Sequence, residues 1–358
     1  MKKLTVKRYL WLRKRIQNES SSKQRIASIK KNRLLFETTR IAVDRIRQRI
    51  KMPEFMAAED PAKRAEIWKC MSKGLVDLEA GNTVSFDFTK TKIVFPGGML
   101  IFIAWVELLI EAFPNRVSVI AHPSSLVAQL FEHVGYAKKL RVLCPAVKHP
   151  SVLNWEFLTG AFADGESISK LLRSYKETSD TDAPEGLYDV LTEALTNVRH
   201  HAYTTEVEIP ESMQRWWLFS RYDPPSQGKA GKQFIAIYDI GVGIQNSLKQ
   251  KLTAGEVVRG IASDVLETLK LSTNDLERVL LKKAVEQDRS VTGEDNRGKG
   301  LPEMLEFLKK TEEGRLYIVS GHAQYACFAK DAEGVAYFCN TVVPGTLLLW
   351  SIQIGAPL

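Results

Sequence analysis

Residues Leu187–Tyr203 read LYDVLTEALTNVRHHAY. Leu187, Val190, Leu191, Ala194, Leu195 and Val198 recur at three- and four-residue intervals, which predicts an amphipathic helix with one buried face. Asp182 suits its N-cap, and Pro184 and Glu185 suit its first turn. Glu193, Asn197 and His201 stand four apart along one edge of that helix. A carboxylate, a carboxamide and an imidazole in line have the chemistry to hold a water, a metal ion and a phosphate. A solvated polar face on an ordinary helix has the same pattern.

Later stretches add to it. Gln233–Ile244, QFIAIYDIGVGI, is a strand-like run, Phe234–Tyr238, that ends at Asp239 and is followed by Gly241 and Gly243. Glycines there let backbone approach a ligand closely, and the aspartate can accept from a ring amino group. Asp295–Leu301, DNRGKGL, leads into a helical pattern through Pro302, Met304, Leu305 and Leu308. Gly298, Lys299 and Gly300 therefore precede a helix start, where exposed amides favour phosphate. Gly345-Thr346 opens the strand Leu347–Ile352. Singly, each is also an ordinary turn or helix start.

Their order resembles the GHKL ATP-binding family, which includes DNA gyrase B subunits, MutL, histidine kinases and the anti-sigma serine kinases. TEALTNVRHHAY is most similar to the N-box of the anti-sigma kinases, and the resemblance extends from Trp155 to Ile354. It implies a two-layer α/β sandwich that binds ATP with Mg²⁺. Glu193 would orient or deprotonate the attacking water, and Asn197 would give Mg²⁺ an oxygen ligand. Asp239 would accept from the adenine amino group, with Gly241 and Gly243 making room for base and ribose. Gly298, Lys299 and Gly300 would meet the terminal phosphate, and Thr346 would support an adenine-side water. His201 is left between phosphate contact and a bond to backbone. The interval between DxGxG and GKG holds two helical patterns, Ser247–Leu271 and Asn274–Gln287, and a polar stretch, Asp288–Arg297, in the place of the family's lid.

Charge divides the chain unevenly. Residues 1–51 carry 17 Lys or Arg and three acids, a net +14, against +8 for the whole chain. That leaves −6 for residues 52–358. The pattern predicts helices over Val6–Asn18 and Ser22–Lys51, a basic arm within a helical region 1–80. Such an arm suits nucleic-acid phosphates, the chain's own acidic remainder, or a protein partner such as a second copy. The longest apolar run, Gly98–Phe113, is interrupted by Glu107 and Glu111, so no membrane span is expected. No signal peptide is evident, and Cys70, Cys144, Cys327 and Cys339 form no CxxC pair. A cytoplasmic protein with reduced thiols is the expectation.

Between arm and ATPase, strands at Thr83–Asp87 and Val117–Ala121 alternate with helices at Met99–Ala112 and Ser124–Val134, with Leu140–Cys144 as a further strand. This order resembles a STAS domain over residues 81–150, preceded by a helix at Glu59–Ala80. The family's phospho-acceptor position holds Phe95-Pro96-Gly97-Gly98, which has no hydroxyl, so the resemblance implies a docking module and not a phospho-switch. In the last domain, 151–358, Trp216–Tyr222 and Phe234–Tyr238 predict a hairpin. Arg315–Ser320, Gln324–Ala329, Val335–Cys339 and Thr346–Ile352 complete a mixed sheet. The overall expectation is an α/β chain acting as a Mg²⁺-ATP-driven switch or ATPase in bacterial regulation or stress and phage defence. The alternatives are an anti-sigma-type serine/threonine kinase acting on a partner, and a nucleic-acid-binding module gated by ATP.

Overall fold

The computed structural model describes residues 46–144, 149–162, 165–179, 185–203, 211–226, 228–253, 273–286, 300–331 and 333–354. β1 (Arg47–Lys51) and β2 (Phe55–Met56) lead into α1 (Pro61–Glu79). Asp60 caps α1 by accepting from Ala62 N at 2.7 Å and Lys63 N at 3.1 Å. Pro61 occupies the first turn, where its missing N–H costs nothing. β3 (Thr83–Asp87), β4 (Ile93–Val94), α2 (Pro96–Ala112) and β5 (Val117–Ile120) follow. β1, β3 and β5 form a parallel sheet in that order, with α1 and α2 as crossovers. α3 (Leu126–His133) is capped by Ser125 and stopped at Gly135, whose φ is +79°. α4 (Ala137–Leu140) and α5 (Pro150–Leu153) are single turns.

Two expectations change here. Arg47–Lys51 is a strand and not the end of a helix. In RQRIK only Ile50 is buried, while Arg47 and Arg49 lie across β3, Arg47 Nε donating to Ser85 Oγ at 3.0 Å and Arg49 Nε to Asp87 Oδ2 at 2.7 Å. The rest of the arm, through Arg45, lies outside the described residues, and the parallel sheet runs across the boundary drawn at residue 80. No strand forms at Leu140–Cys144: Arg141 adopts a left-handed φ of 57°, which ends α4 and breaks an extended run.

The second half begins with β6 (Trp155–Gly160), α6 (Gly165–Ser179) and α7 (Leu187–Asn197), and α7 continues as a π-helical turn, Val198–Ala202. Gly186, with φ +84°, stands at the N-cap of α7 with no side-chain cap. Glu185 is therefore in the preceding turn; Asp182 and Pro184 lie outside the described residues. β7 (Trp216–Asp223) and β8 (Gly231–Asp239) form the expected hairpin. α8 (Ile244–Thr253), α9 (Thr273–Glu286) and α10 (Gly300–Lys309) precede β9 (Gly314–Phe328) and β10 (Val335–Ile354). The sheet order is β6-β7-β8-β10-β9 and every pairing is antiparallel. The expected mixed sheet is thus antiparallel, and its last four strands are two long ones. β10 crosses two register shifts, between Phe338 and Val343 and between Val343 and Thr346, so pairing resumes past each irregularity.

This sheet is buried on both faces. Trp216, Leu218, Ile235 and Ile237 point to a core with α7 and α10, whereas Trp217, Phe219, Ala236 and Tyr238 point to the core that contains α2. The alternation follows from the period-two geometry of strands. α2 lies between the two sheets, and its residues Pro96–Val106, Leu108 and Leu109 are all buried, as expected of a helix apolar on every side. Polar contacts cross this seam. Trp217 Nε1 donates to Glu107 Oε2 at 2.8 Å. Trp105 Nε1 donates to Tyr238 Oη at 2.9 Å, which donates to the Pro344 carbonyl at 2.8 Å. Arg221 donates to the Val94 carbonyl at 3.0 Å and stacks near Phe95 and Phe234. Among the described residues no helix is long and apolar enough to cross a membrane.

Candidate functional site

Asp239 ends β8, in register with Trp216 on β7 and Thr346 on β10, and Thr346 is in register with Ser320 on β9. One row of residues therefore crosses four strands at the edge where the glycine turns begin. Asp239 is 4% exposed, and its Oδ1 accepts from Gly241 N at 2.7 Å. That bond folds the chain sharply back after β8. Val242 N donates to the Ala202 carbonyl at 2.8 Å, which seats the turn on the π-helical end of α7. A Cβ on Gly241 would overlap that carbonyl. Gly241 thus serves the contact between turn and helix, and it is not among the residues lining the cavity beside it. Gly345, with φ +82°, is required for a second reason: a Cβ there would overlap the Asp239 carbonyl.

A cavity opens between this row, α7 and α10. Asn197, His201, Asp239, Gly243, Gly300 and Thr346 supply its polar and backbone lining, and Ile237, Leu348, Leu301 and Met304 supply apolar walls. A few polar groups in an apolar cleft are the usual make-up of a small-molecule site. The wider i→i+5 turn at Val198–Ala202 carries His201 to the same cavity as Asn197; such turns are frequent at functional sites.

Glu193 does not line the cavity. Its carboxylate bonds to the Asn197 side chain and lies against the start of α10, where a Cβ on Gly300 would overlap Glu193 Oε1 and come 2.5 Å from Asn197 Nδ2. The α7 motif and the last glycine of GKG thus touch directly. Burial pushes the Glu193 pKa above the usual glutamate value, the charge of Glu303 pushes the same way, and the Asn197 bond opposes both. Gly298, Lys299 and the stretch Asp288–Arg297 lie outside the described residues.

Among the described residues no group of three or more His, Cys, Asp or Glu could hold a metal ion. Asn197 could give an ion such as Mg²⁺ one hard oxygen, the remaining positions being left to other ligands. Sequence reasoning missed Ser320, which is fully buried beneath the glycine turns and bonded to both. It also missed the cavity faces of Leu301 and Met304, although their helical spacing was visible. The chain matches no protein-family model, no curated protein and no solved structure.

Proposed function

We propose that this cavity binds the adenine end of Mg²⁺-ATP and that the protein is a nucleotide-driven switch or ATPase of the GHKL type. The observation that carries the reading is the buried Asp239 carboxylate, in register with Thr346 and facing the same apolar cavity as Asn197 and Gly300. Four stretches far apart in sequence converge there. An anionic acceptor in an apolar wall favours a ring bearing an amino group and repels one bearing a carbonyl.

Asp239 accepts from the adenine amino group while Ile237, Leu348 and Met304 enclose the ring. Asn197 would hold Mg²⁺, which when bound neutralises phosphate charge. Gly300, with Gly298 and Lys299 before it, faces the phosphates. Glu193, outside the lining but bonded to Asn197 and in contact with Gly300 at the cavity's edge, would orient a water attacking a phosphate held at Gly300 and take its proton. The raised proton affinity of Glu193 suits that role, because a base poised nearer neutrality transfers protons more effectively. Readout passes to the STAS-like unit: Tyr238 precedes Asp239, Pro344 precedes Gly345-Thr346, and both are bonded in a chain to Trp105 of α2. The protein works in the cytoplasm, through a protein partner or second copy, with nucleic acid as the alternative target of the basic arm.

Calorimetry with Mg²⁺-ATP and Mg²⁺-ADP tests the reading. Asp239→Asn should weaken binding by about 1–3 kcal/mol, the worth of a hydrogen bond to a charged group. A wild type that binds neither nucleotide overturns it. Incubation with γ-labelled ATP then separates hydrolysis, which releases free phosphate, from kinase chemistry, which labels protein.

A further inference from the structure

Ser320 sits on β9 with no exposed surface. Its hydroxyl accepts from Ile244 N at 2.9 Å and donates to the Gly345 carbonyl at 2.9 Å. Its own carbonyl accepts from Gln245 Nε2 at 2.7 Å, and Gln245 is also buried. A Cβ on Gly243 would come 2.7 Å from Ser320 Oγ and 3.0 Å from the Gly345 carbonyl. One hydroxyl therefore joins the turn after Asp239 to the irregular step of β10 just before Thr346. Pairing with β8 fixes Thr346 opposite Asp239, whereas the β9–β10 register shifts between Val343 and Thr346, and the turn Gly243–Ile244 is tied to β10 through this hydroxyl. A serine suits the place because one small group acts as donor to one turn and acceptor to the other.

We infer that Ser320 is a positioning residue that holds the cavity wall Gly243–Ile244 against the paired Asp239 and Thr346 and thereby sets the preference for adenine over guanine. The inference rests on the adenine reading of the cavity. Ser320 reaches no ligand itself; it acts through two backbone segments. With the hydroxyl removed, Gly345 and Ile244 lose their common partner, the Gly243–Ile244 wall is free to shift relative to the Asp239–Thr346 pair, and the ring amino group no longer meets the acceptor in line.

The test compares full-length wild type, Ser320→Ala and Ser320→Cys by calorimetry with Mg²⁺-ATP and Mg²⁺-GTP, alongside thermal melts. The cysteine fills the space with a weak hydrogen-bonding group. The wild type should prefer ATP, and in both variants that preference should fall about tenfold, the effect of misaligning one hydrogen bond. If Ser320→Ala does not melt cooperatively, Ser320→Cys is read by the same ratio. An unchanged ratio overturns the inference, and so does an equal loss of both affinities, since a merely structural role lowers stability without touching base choice. A wild type that ignores both nucleotides overturns the adenine reading itself, a result distinct from an altered or unaltered ratio in the variants.

Discussion

Glu193 shows how one residue's environment yields a prediction with a definite sign. Burial and Glu303 raise its pKa in the folded chain, so folding favours the protonated carboxyl. Its contribution is fully present below the ordinary glutamate value and is lost as pH rises from there through the raised folded value. Glu193→Gln, permanently neutral, should therefore melt higher than wild type near pH 8, with the gain vanishing below about pH 4. Melting curves at the two pH values check this; a gain at the acid end alone contradicts it. On the proposed nucleotide reading, the same variant should keep ATP and lose turnover, because a water-positioning group acts mainly in the transition state. Asn197→Ala should lose Mg²⁺-dependent binding as well. At this scale Asp239, Gly243 and Thr346 were legible because each stands at a strand end or glycine turn. Ser320 was not, because its partners Ile244 and Gly345 lie 76 and 25 residues away and no local pattern marks a serine before a glycine.

At the scale of elements, α2 reverses an ordinary rule. Glycine to alanine inside a helix usually stabilises by about 1 kcal/mol. A Cβ on Gly98 would overlap the backbone of Met56, whereas one on Gly97 would meet chiefly the end of the Leu349 side chain, at 2.6 Å. Gly98→Ala should then destabilise by about 1–3 kcal/mol, as overpacking against immobile atoms does, and Gly97→Ala by less. Urea titration of both ranks them; equal or stabilising effects would show that β2 yields. The Pro-Gly-Gly run has no hydroxyl to accept phosphate, and its glycines have another use, close passage of helix past strand. Thr83–Asp87, α2 and the β7–β8 hairpin were readable because apolar period and turn residues agree locally. β1 was not, since RQRIK offers one apolar residue amid the arm's cations. The pairing of β9 and β10 depends on contacts that no short window contains.

For the whole molecule, the boundary between arm and fold is a prediction. Removing residues 1–45 leaves β1 in place, whereas removing 1–51 strips a strand from the parallel sheet and uncovers the edge of β3. The longer deletion should melt well below the shorter one, as calorimetry can show. If the arm binds nucleic acid, gel shifts with full-length protein should weaken steeply with salt and vanish in the shorter deletion. Absence of any shift at low salt, with an altered oligomeric mass, would assign the arm to protein. The burial of α2 on all sides also has a consequence for synthesis. Its outer cover includes β7 and β8, and β8 ends at Asp239. Roughly 130 residues beyond Ala112 must therefore leave the ribosome before that cover is complete, about 6–25 s at usual elongation rates. Through that interval the most apolar of the described helices waits half-clothed, so a slowed ribosome upstream of Asp239 should raise the risk of aggregation.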